Sequence, residues 1–307
     1  MGSEIKDPGI GTQFQQNTKR IINPDGTYNI IKKGSRKGFR DFFKYMLDIS
    51  WLRFFLILFL SYILLNIFFT LLYILAGNAA IDGIRSDGAH PILQTFYFSV
   101  QTFTTVGYGS LSPVGVFAQS VATVEAFVGF LSFSLATGLA YGRFSKPNSK
   151  IIFSKFVLYS KYQDGYSIKV KLANERDNVL LEVTAKMILT LDKVTPNGEV
   201  TRSYYNLPLE IDKVELLPFT WTLVHKIDEE SPFYGKKQEE LRLMNPEFLV
   251  IIKGFDETFS QHVHSKQSFI CDDMRWNKRF MKIFGPNEEG VVEFDINNIN
   301  DIADDEI

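Results

Sequence analysis

The sequence is short of several things, and each shortage excludes something. Its 307 residues include one cysteine, Cys271, so no intrachain disulfide can form and the thiol reads as a small strand residue. Charge is almost missing from two long apolar runs: Trp51 to Ala76 carries only Arg53, and Val114 to Gly142 only Glu125. No nucleophile triad, paired carboxylates, phosphate-cradling loop or Cys/His cluster stands at a usable spacing, which argues against an enzyme, a cofactor or a metal other than a passing ion. A net charge of −2 offers no basic field for nucleic acid. No arginine repeat of the voltage-sensing kind occurs, and no internal repeat. A cleavable signal peptide is not expected, because the first apolar run is longer than a signal core and begins well inside the chain.

What is present is aromatic and segmented. Phenylalanine alone accounts for 28 residues. Each uncharged run is long enough, as a helix of about 25 residues, to cross a bilayer. Basic residues flank the runs on one side: "KKGSRKGFR" (Lys32–Arg40) before the first, and Arg143, Lys146 and Lys150 after the second. The loop between them sets Arg85 against Asp82 and Asp87, so both termini are expected in the cytoplasm and the protein in the inner (plasma) membrane. Residues 1–35 read as a polar cytoplasmic segment with a turn at Asn23–Gly26. Residues 36–50 read as a helix lying on the interface, with Phe39, Phe42, Phe43, Met46, Leu47 and Ile49 on one face; the alternative is an extension of the following span. Residues 51–146 form the membrane part, which includes "HPILQTFYFSVQTF" (His90–Phe103), apolar but too short to span and therefore a re-entrant half-helix. From residue 147 to 307 short β-branched and aromatic runs alternate with turn signals, among them "PNG" at Pro196–Gly198, and predict a cytoplasmic β-sandwich with one short helix near Gly235–Met244 and an acidic tail, "DINNINDIADDEI".

The half-helix is followed by "TTVGYGSLSP" (Thr104–Pro113). TVGYG is the established potassium-filter pattern, so this is a match to a known motif and not a derivation. Its chemistry is nonetheless readable. Potassium leaves water only where a ring of oxygens replaces its hydration shell, and an ordinary strand points successive carbonyls to opposite sides. Glycines at Gly107 and Gly109 accept positive φ, which lets the carbonyls of Thr105, Val106, Gly107 and Tyr108 face one axis with the Thr105 hydroxyl below them. Backbone that is not helical is tolerated at membrane depth only in protein or beside water. One such strand makes one wall, so the expected assembly is a cyclic homotetramer.

Beyond the filter the chain resembles the inward-rectifier potassium channels, and among them the bacterial members. The resemblance rests on "DISW" before the first span, "ATVEAFVGF" through "ATGLAYGRFSKP" on the second, and "TLVHKIDEESPFYG" (Thr222–Gly235), and runs from about Arg20 to Phe284. It implies a two-span pore domain with outer, pore and inner helices, an immunoglobulin-like cytoplasmic sandwich, and passive potassium conduction gated by cytoplasmic or lipid signals. Phe133, Thr137 and Tyr141, spaced by four, share a helical face that lines the pore in the family, with Phe133 where strong rectifiers carry an acid and Tyr141 at the bundle crossing. Weak rectification is therefore expected. Glu182 matches an acidic position of the cytoplasmic pore, Lys253 replaces another acid, and "DETFSQH", with Glu257, corresponds to the loop at the pore's apex. Gln101 stands where relatives usually have a glutamate beside the filter.

Other readings come from the residues themselves. Glu125, a carboxylate inside a span, is expected to face protein behind the filter and brace it. Gly129 and Gly138 loosen the inner helix as a bend or serve as close-packing sites. Arg53, Arg143, Lys146 and Lys150, with Arg36 and Lys37, are candidates for anionic phospholipid headgroups, although plain positive-inside topology accounts for them nearly as well. His262 and His264 are given no metal. A reading from another class makes the spans a mere anchor for a non-conducting β domain that binds lipid or a protein partner, and it leaves the filter sequence unexplained.

Overall fold

A computed structural model describes residues 4–5, 9, 20, 22–23, 26–31, 33–34, 38–77, 79–85, 89–146, 150–194, 197 and 200–305, excluding the side chains of residues 39, 40, 194 and 200. Part of the turn at Asn23–Gly26 (Pro24 and Asp25), the glycine and proline of the "PNG" hairpin, and Arg36 and Lys37 lie outside the described residues. The chain forms two compact units, one of residues 34–146 and one of residues 147–307 joined by the described part of 1–33.

The first unit is helical: α1 (Phe39–Asp48), α2 (Trp51–Leu75), α3 (Pro91–Phe103) and α4 (Gly115–Phe144). Local chemistry sets the starts. The Gly38 N–H donates to Asp41 Oδ2 at 2.7 Å ahead of α1, Ser50 Oγ accepts from the Arg53 N–H at 3.4 Å ahead of α2, and Pro91 opens α3 at the one turn where its missing N–H costs nothing. At 1.5 Å per residue α2 is about 37 Å long, more than a hydrocarbon core of about 30 Å. Its packing is inverted relative to a water-soluble helix. The side chains α2 buries include Asn66, Thr70 and Tyr73, while Leu52, Leu64 and Leu75 are exposed; α4 likewise buries Ala118, Glu125 and Gly129 and exposes Phe127 and Phe130. Asn66, Thr70 and Glu125 face protein beside Phe54, Phe69 and Leu139, while many large apolar side chains face outward, as expected where the solvent is lipid. At the far end of α2 the strands Ile81–Asp82 and Ser112–Pro113 pair, and the Val114 N–H donates to Ala80 O at 2.8 Å. Gly83, at φ +87°, permits this crossing, since a Cβ there would lie 2.0 Å from Ser110 O.

The second unit is a β-sandwich. One sheet runs in the order Glu4–Ile5, Val200–Leu207, Leu180–Val194, Glu247–Asp256, Gln261–Ile270, with Lys213–Leu217 pairing further along Leu180–Val194. The other runs Thr220–Ile227, Gly165–Asn174, Val157–Tyr162, Met274–Trp276, with Ile151–Phe153 also on Gly165–Asn174. Alternate residues of both sheets, such as Ile168, Val170 and Leu172 facing Phe248, Val250 and Ile252, close one core, and each fully buried side chain of this kind stabilises by about 1.5–3 kcal/mol. The expected short helix is Gln238–Leu243.

Two features differ from the sequence reading. Gln261–Ile270 is a ten-residue strand that the apolar runs do not announce, because only Val263, Ser268 and Phe269 along it are buried. The acidic tail is folded into the unit: Ile302–Asp304 pairs with Lys278–Phe280, and Ile299 is buried with Ala173 and Ile283. The hydrophobic isoleucines spaced through that tail outweigh its carboxylates.

The stretch "VHKIDEESPFY" builds a corner. His225 is buried, with Nδ1 2.8 Å from Pro208 O and Nε2 2.9 Å from Ser231 Oγ. A carbonyl only accepts, so Nδ1 carries the hydrogen and the Ser231 hydroxyl donates to Nε2. Asp228 Oδ1 accepts from the Glu230 and Ser231 N–H groups, and Phe233 behind the corner stacks on Phe248. Burial pushes the His225 imidazole below its ordinary pKa. The unfolded chain therefore takes up a proton there first: the stabilisation is complete above about pH 6.5 and is lost as pH falls from there through the lower folded value. The melting temperature of the solubilised protein should fall between about pH 7 and about pH 5.5, and less steeply in His225→Gln. Equal slopes in the two proteins would sink this assignment.

Candidate functional site

The segment Thr105–Gly109 leaves the C-terminal end of α3 with positive φ at alternate residues: +60° at Thr105, +54° at Gly107 and +81° at Gly109. Glycine makes two of these values inexpensive, whereas Thr105 adopts a conformation that costs an L-residue about 1–2 kcal/mol. Alternating hands of backbone turn successive carbonyls toward a common side. The segment's first N–H groups are used on the helix it leaves: those of Val106 and Gly107 both point at Gln101 O, at 2.9 and 3.4 Å, and that of Thr105 donates to Thr102 O at 3.0 Å. Among the described residues no group donates to the carbonyls of Thr105, Val106, Gly107 or Tyr108. Val106 and Tyr108 are exposed within the single chain, Tyr108 at 76%. Gln101 contributes through its backbone, and its amide side chain makes no hydrogen bond among the described residues.

Behind this segment α3 is fixed to both long helices. Glu125 of α4 is completely buried and accepts from Tyr73 Oη (2.6 Å) of α2 and from Ser99 Oγ (2.5 Å) of α3. Ser99 Oγ also lies 3.1 Å from Asn66 O and 3.2 Å from Asn66 Oδ1. Asn66 is held in turn by its own helix, through Nδ2 to Tyr62 O (2.8 Å) and from Thr70 Oγ1 to its carbonyl (2.7 Å). A second contact lies one turn along: a Cβ on Gly129 would be 2.0 Å from Phe103 O, so α4 touches the last residue of α3 backbone to backbone. Gly138 has nothing within 4 Å of its Cβ position, and α4 is continuous through both glycines.

Phe133, Thr137 and Tyr141 are all three exposed in the single chain, Phe133 at the edge of a cavity it shares with residues of α2 and with Phe103 of α3. At the end of α4 the basic residues differ. Arg143 gives its guanidinium to the end of α1, donating from Nη1 to Met46 O (2.5 Å) and from Nη2 to Ile49 O (2.6 Å), while its Cζ lies 4.5 Å from the Trp51 ring centroid and 4.7 Å from that of Phe54. Lys146 bonds Asp48 of α1, and Lys150 pairs with Glu175 at 3.1 Å in the second unit. Arg53 is exposed and has no partner among the described residues.

In the β unit, Glu182 stands at a bulge. Thr184 faces Lys253 but Leu181 faces Phe255, so Glu182 and Val183 together oppose Gly254, and Glu182 takes φ +47°. Bulges re-aim side chains. Lys253 and Glu257 are exposed. Lys213 is held charged above its ordinary range by its hydrogen bond to Glu215, with Glu182 adding to the effect. Among the described residues no group of His, Cys, Asp and Glu could hold a metal ion.

Sequence reasoning singled out Glu125 but not its partners Asn66, Tyr73 and Ser99. The signal was there: Asn66, Thr70 and Tyr73 are the polar residues of one helical face in an otherwise apolar span. The use of Arg143 and Lys146 on α1 had no such signal, because it depends on where α1 ends.

A family model described as inward rectifier potassium channel C-terminal domain matches residues 151–305, and one described as ion channel matches residues 54–145. The inward rectifier potassium channel Kirbac3.1 of Paramagnetospirillum magnetotacticum is 32% identical over 92% of this chain and 96% of its own length. Inward rectifier potassium channel irk-1 of Caenorhabditis elegans is 25% identical over 86% of this chain and 53% of its own. ATP-sensitive inward rectifier potassium channel 12 of Bos taurus is 24% identical over 85% and 66%. A solved Pseudomonas fluorescens alkylpurine DNA glycosylase overlaps at a TM-score of 0.19 with 8% identity, over 62% of this chain and 49% of that one, too little to bear on the fold.

The two glycines of α4 give a direct contrast. Gly129→Ala forces the backbone of α3 or α4 to move, an overpacking cost of about 1–3 kcal/mol, whereas Gly138→Ala meets nothing within the subunit. Thermal melts of the purified variants should show a clear loss for the first and a smaller change, of either sign, for the second; a Gly129→Ala protein as stable as its parent would contradict the contact.

Proposed function

Because the chain belongs to the inward-rectifier potassium channel family, we propose that it conducts potassium passively, with four copies around one axis and Thr105–Gly109 of each forming the selectivity filter. The observation that carries this is the alternation of positive φ at Thr105, Gly107 and Gly109 beside carbonyls that accept nothing from the chain. A dehydrated cation needs several oxygens at once, and four copies of one wall provide them without a side-chain charge that would bind the ion too tightly. Its two long apolar helices, in a chain that matches ion channels along its length, are the membrane spans of this reading. We place both termini in the cytoplasm from the basic flanks.

Below the filter, Phe133, Thr137 and Tyr141 line the path, and bulky aromatics from four subunits close it by excluding water. Phe133 supplies no charge to attract a polyamine or magnesium. In the cytoplasmic part Lys253 and Lys213 offset Glu182, so the vestibule concentrates cations less and rectification is weak. Glu257 belongs to the loop at the apex of that vestibule, a second gate. Opening responds to cytoplasmic or lipid signals. Arg53, unpaired near the cytoplasmic end of α2, is the basic residue best placed for an anionic headgroup, with Lys146 and Lys150 reaching one only by leaving Asp48 and Glu175.

Purified protein in liposomes should pass potassium and exclude sodium. No flux under any lipid composition or pH would favour the reading of a non-conducting, membrane-anchored β domain. Internal polyamine should block weakly, and Phe133→Glu should strengthen block on the order of tenfold or more by adding a ring of carboxylates; strong block with Phe133 in place would overturn the argument. Lys146→Ala with Lys150→Ala should shift the response of flux to anionic lipid. An unchanged response leaves the two lysines as determinants of topology.

A further inference from the structure

We propose that Asn66, Ser99 and Glu125, with Tyr73, are the positioning residues that set the selectivity of the filter by fixing the depth and rotation of α3. The inference rests on the channel reading above and assigns to three helices a task for which the filter itself has no means. The filter segment has few ties of its own to the chain: its first N–H groups hang on Thr102 O and Gln101 O, so wherever α3 sits, the carbonyl rings follow. Within one chain Gln101 offers no side-chain brace beside the filter, making no side-chain bond among the described residues. What holds α3 is one turn back, at Ser99.

Ser99 has one hydroxyl hydrogen and three oxygens around it, Glu125 Oε1 at 2.5 Å, Asn66 O at 3.1 Å and Asn66 Oδ1 at 3.2 Å. The serine is therefore seated between α2 and α4, and sliding α3 by even a fraction of a turn breaks its contact with one of them. Glu125 is fully buried, both of its oxygens are used, and no basic side chain pairs with it among the described residues. Tyr73 Oη sets the carboxyl's second oxygen and so its rotation. The Phe103 O against Gly129 then blocks approach at the next turn. Two fixed points on a thirteen-residue helix define both where it sits and how it is turned.

The role assigned to Glu125 is geometric and not a matter of its charge, which makes it separable. A glutamine in its place keeps an oxygen for Tyr73 and turns its amide N–H to Ser99 Oγ; the Ser99 hydrogen then goes to the Asn66 oxygens already beside it. Valine keeps neither bond.

The experiment compares the parent with Glu125→Gln, Glu125→Val and Ser99→Ala, each purified as the full-length assembly, sized by chromatography, and reconstituted for bi-ionic potassium/sodium permeability ratios. Parent and Glu125→Gln should share one ratio. Glu125→Val and Ser99→Ala should lower it about tenfold, what about 1.4 kcal/mol of lost preference amounts to, with assembly unchanged. Where Glu125→Val does not assemble, Ser99→Ala carries the test, because it removes one hydroxyl and no bulk. The proposal is overturned if assembled Ser99→Ala keeps the parental ratio, or if Glu125→Gln loses as much as Ser99→Ala, which would make the carboxylate's charge the cause. A parent that shows no potassium preference refutes the channel reading instead and leaves the packing of α3 untouched.

Discussion

Hydrogen bonds made where water is absent hold the membrane unit in one arrangement. In lipid there is no hydrophobic drive to bring helices together, so association rests on close packing and on polar groups with no other partner. The contacts of Ser99 with Asn66 and Glu125 and the approach of Gly129 to Phe103 are of these two kinds. Both converge on α3, the short helix that cannot span and would have no reason to stay at depth alone.

The β unit is governed by the opposite solvent. Its core is made of alternating aliphatic side chains, and several of the polar groups buried around that core are hydrogen-bonded. His225 with Ser231 and Pro208 fixes a corner. Arg202 reaches Asp192 and Glu247 with its guanidinium buried, so removing one partner would leave a buried charge less compensated. The bulge at Glu182 is the one place where the central strand gives up its ladder, and Gly254 opposite it has Val183 Cγ2 3.1 Å from its Cβ position, so the bulge depends on a glycine there.

Much of this was legible in the residues, for physical reasons. A span shows itself because lipid tolerates almost no charge, and the half-helix because an uncharged helix of thirteen residues is too short to cross. The TVGYG motif stood out because few sequences put two glycines at alternate positions behind a threonine and a valine. The strand Gln261–Ile270 was not, since its buried positions are few and partly serine, and neither was the docked tail, whose isoleucines are outnumbered by acids. Partners across helices were invisible for a different reason. Asn66 and Ser99 are 33 residues apart, and nothing local says which polar residue of one helix will meet which of another.

The junction between α1 and α4 has a consequence for how it answers to its surroundings. The Arg143 guanidinium is tied to two backbone carbonyls, those of Met46 and Ile49, and packs against the Trp51 and Phe54 rings, where dissolved ions have little access. The Lys146 and Asp48 side chains beside it are solvent-facing, and dissolved ions weaken such a pair. One half of the junction is thus shielded from dissolved ions and the other reads ionic strength.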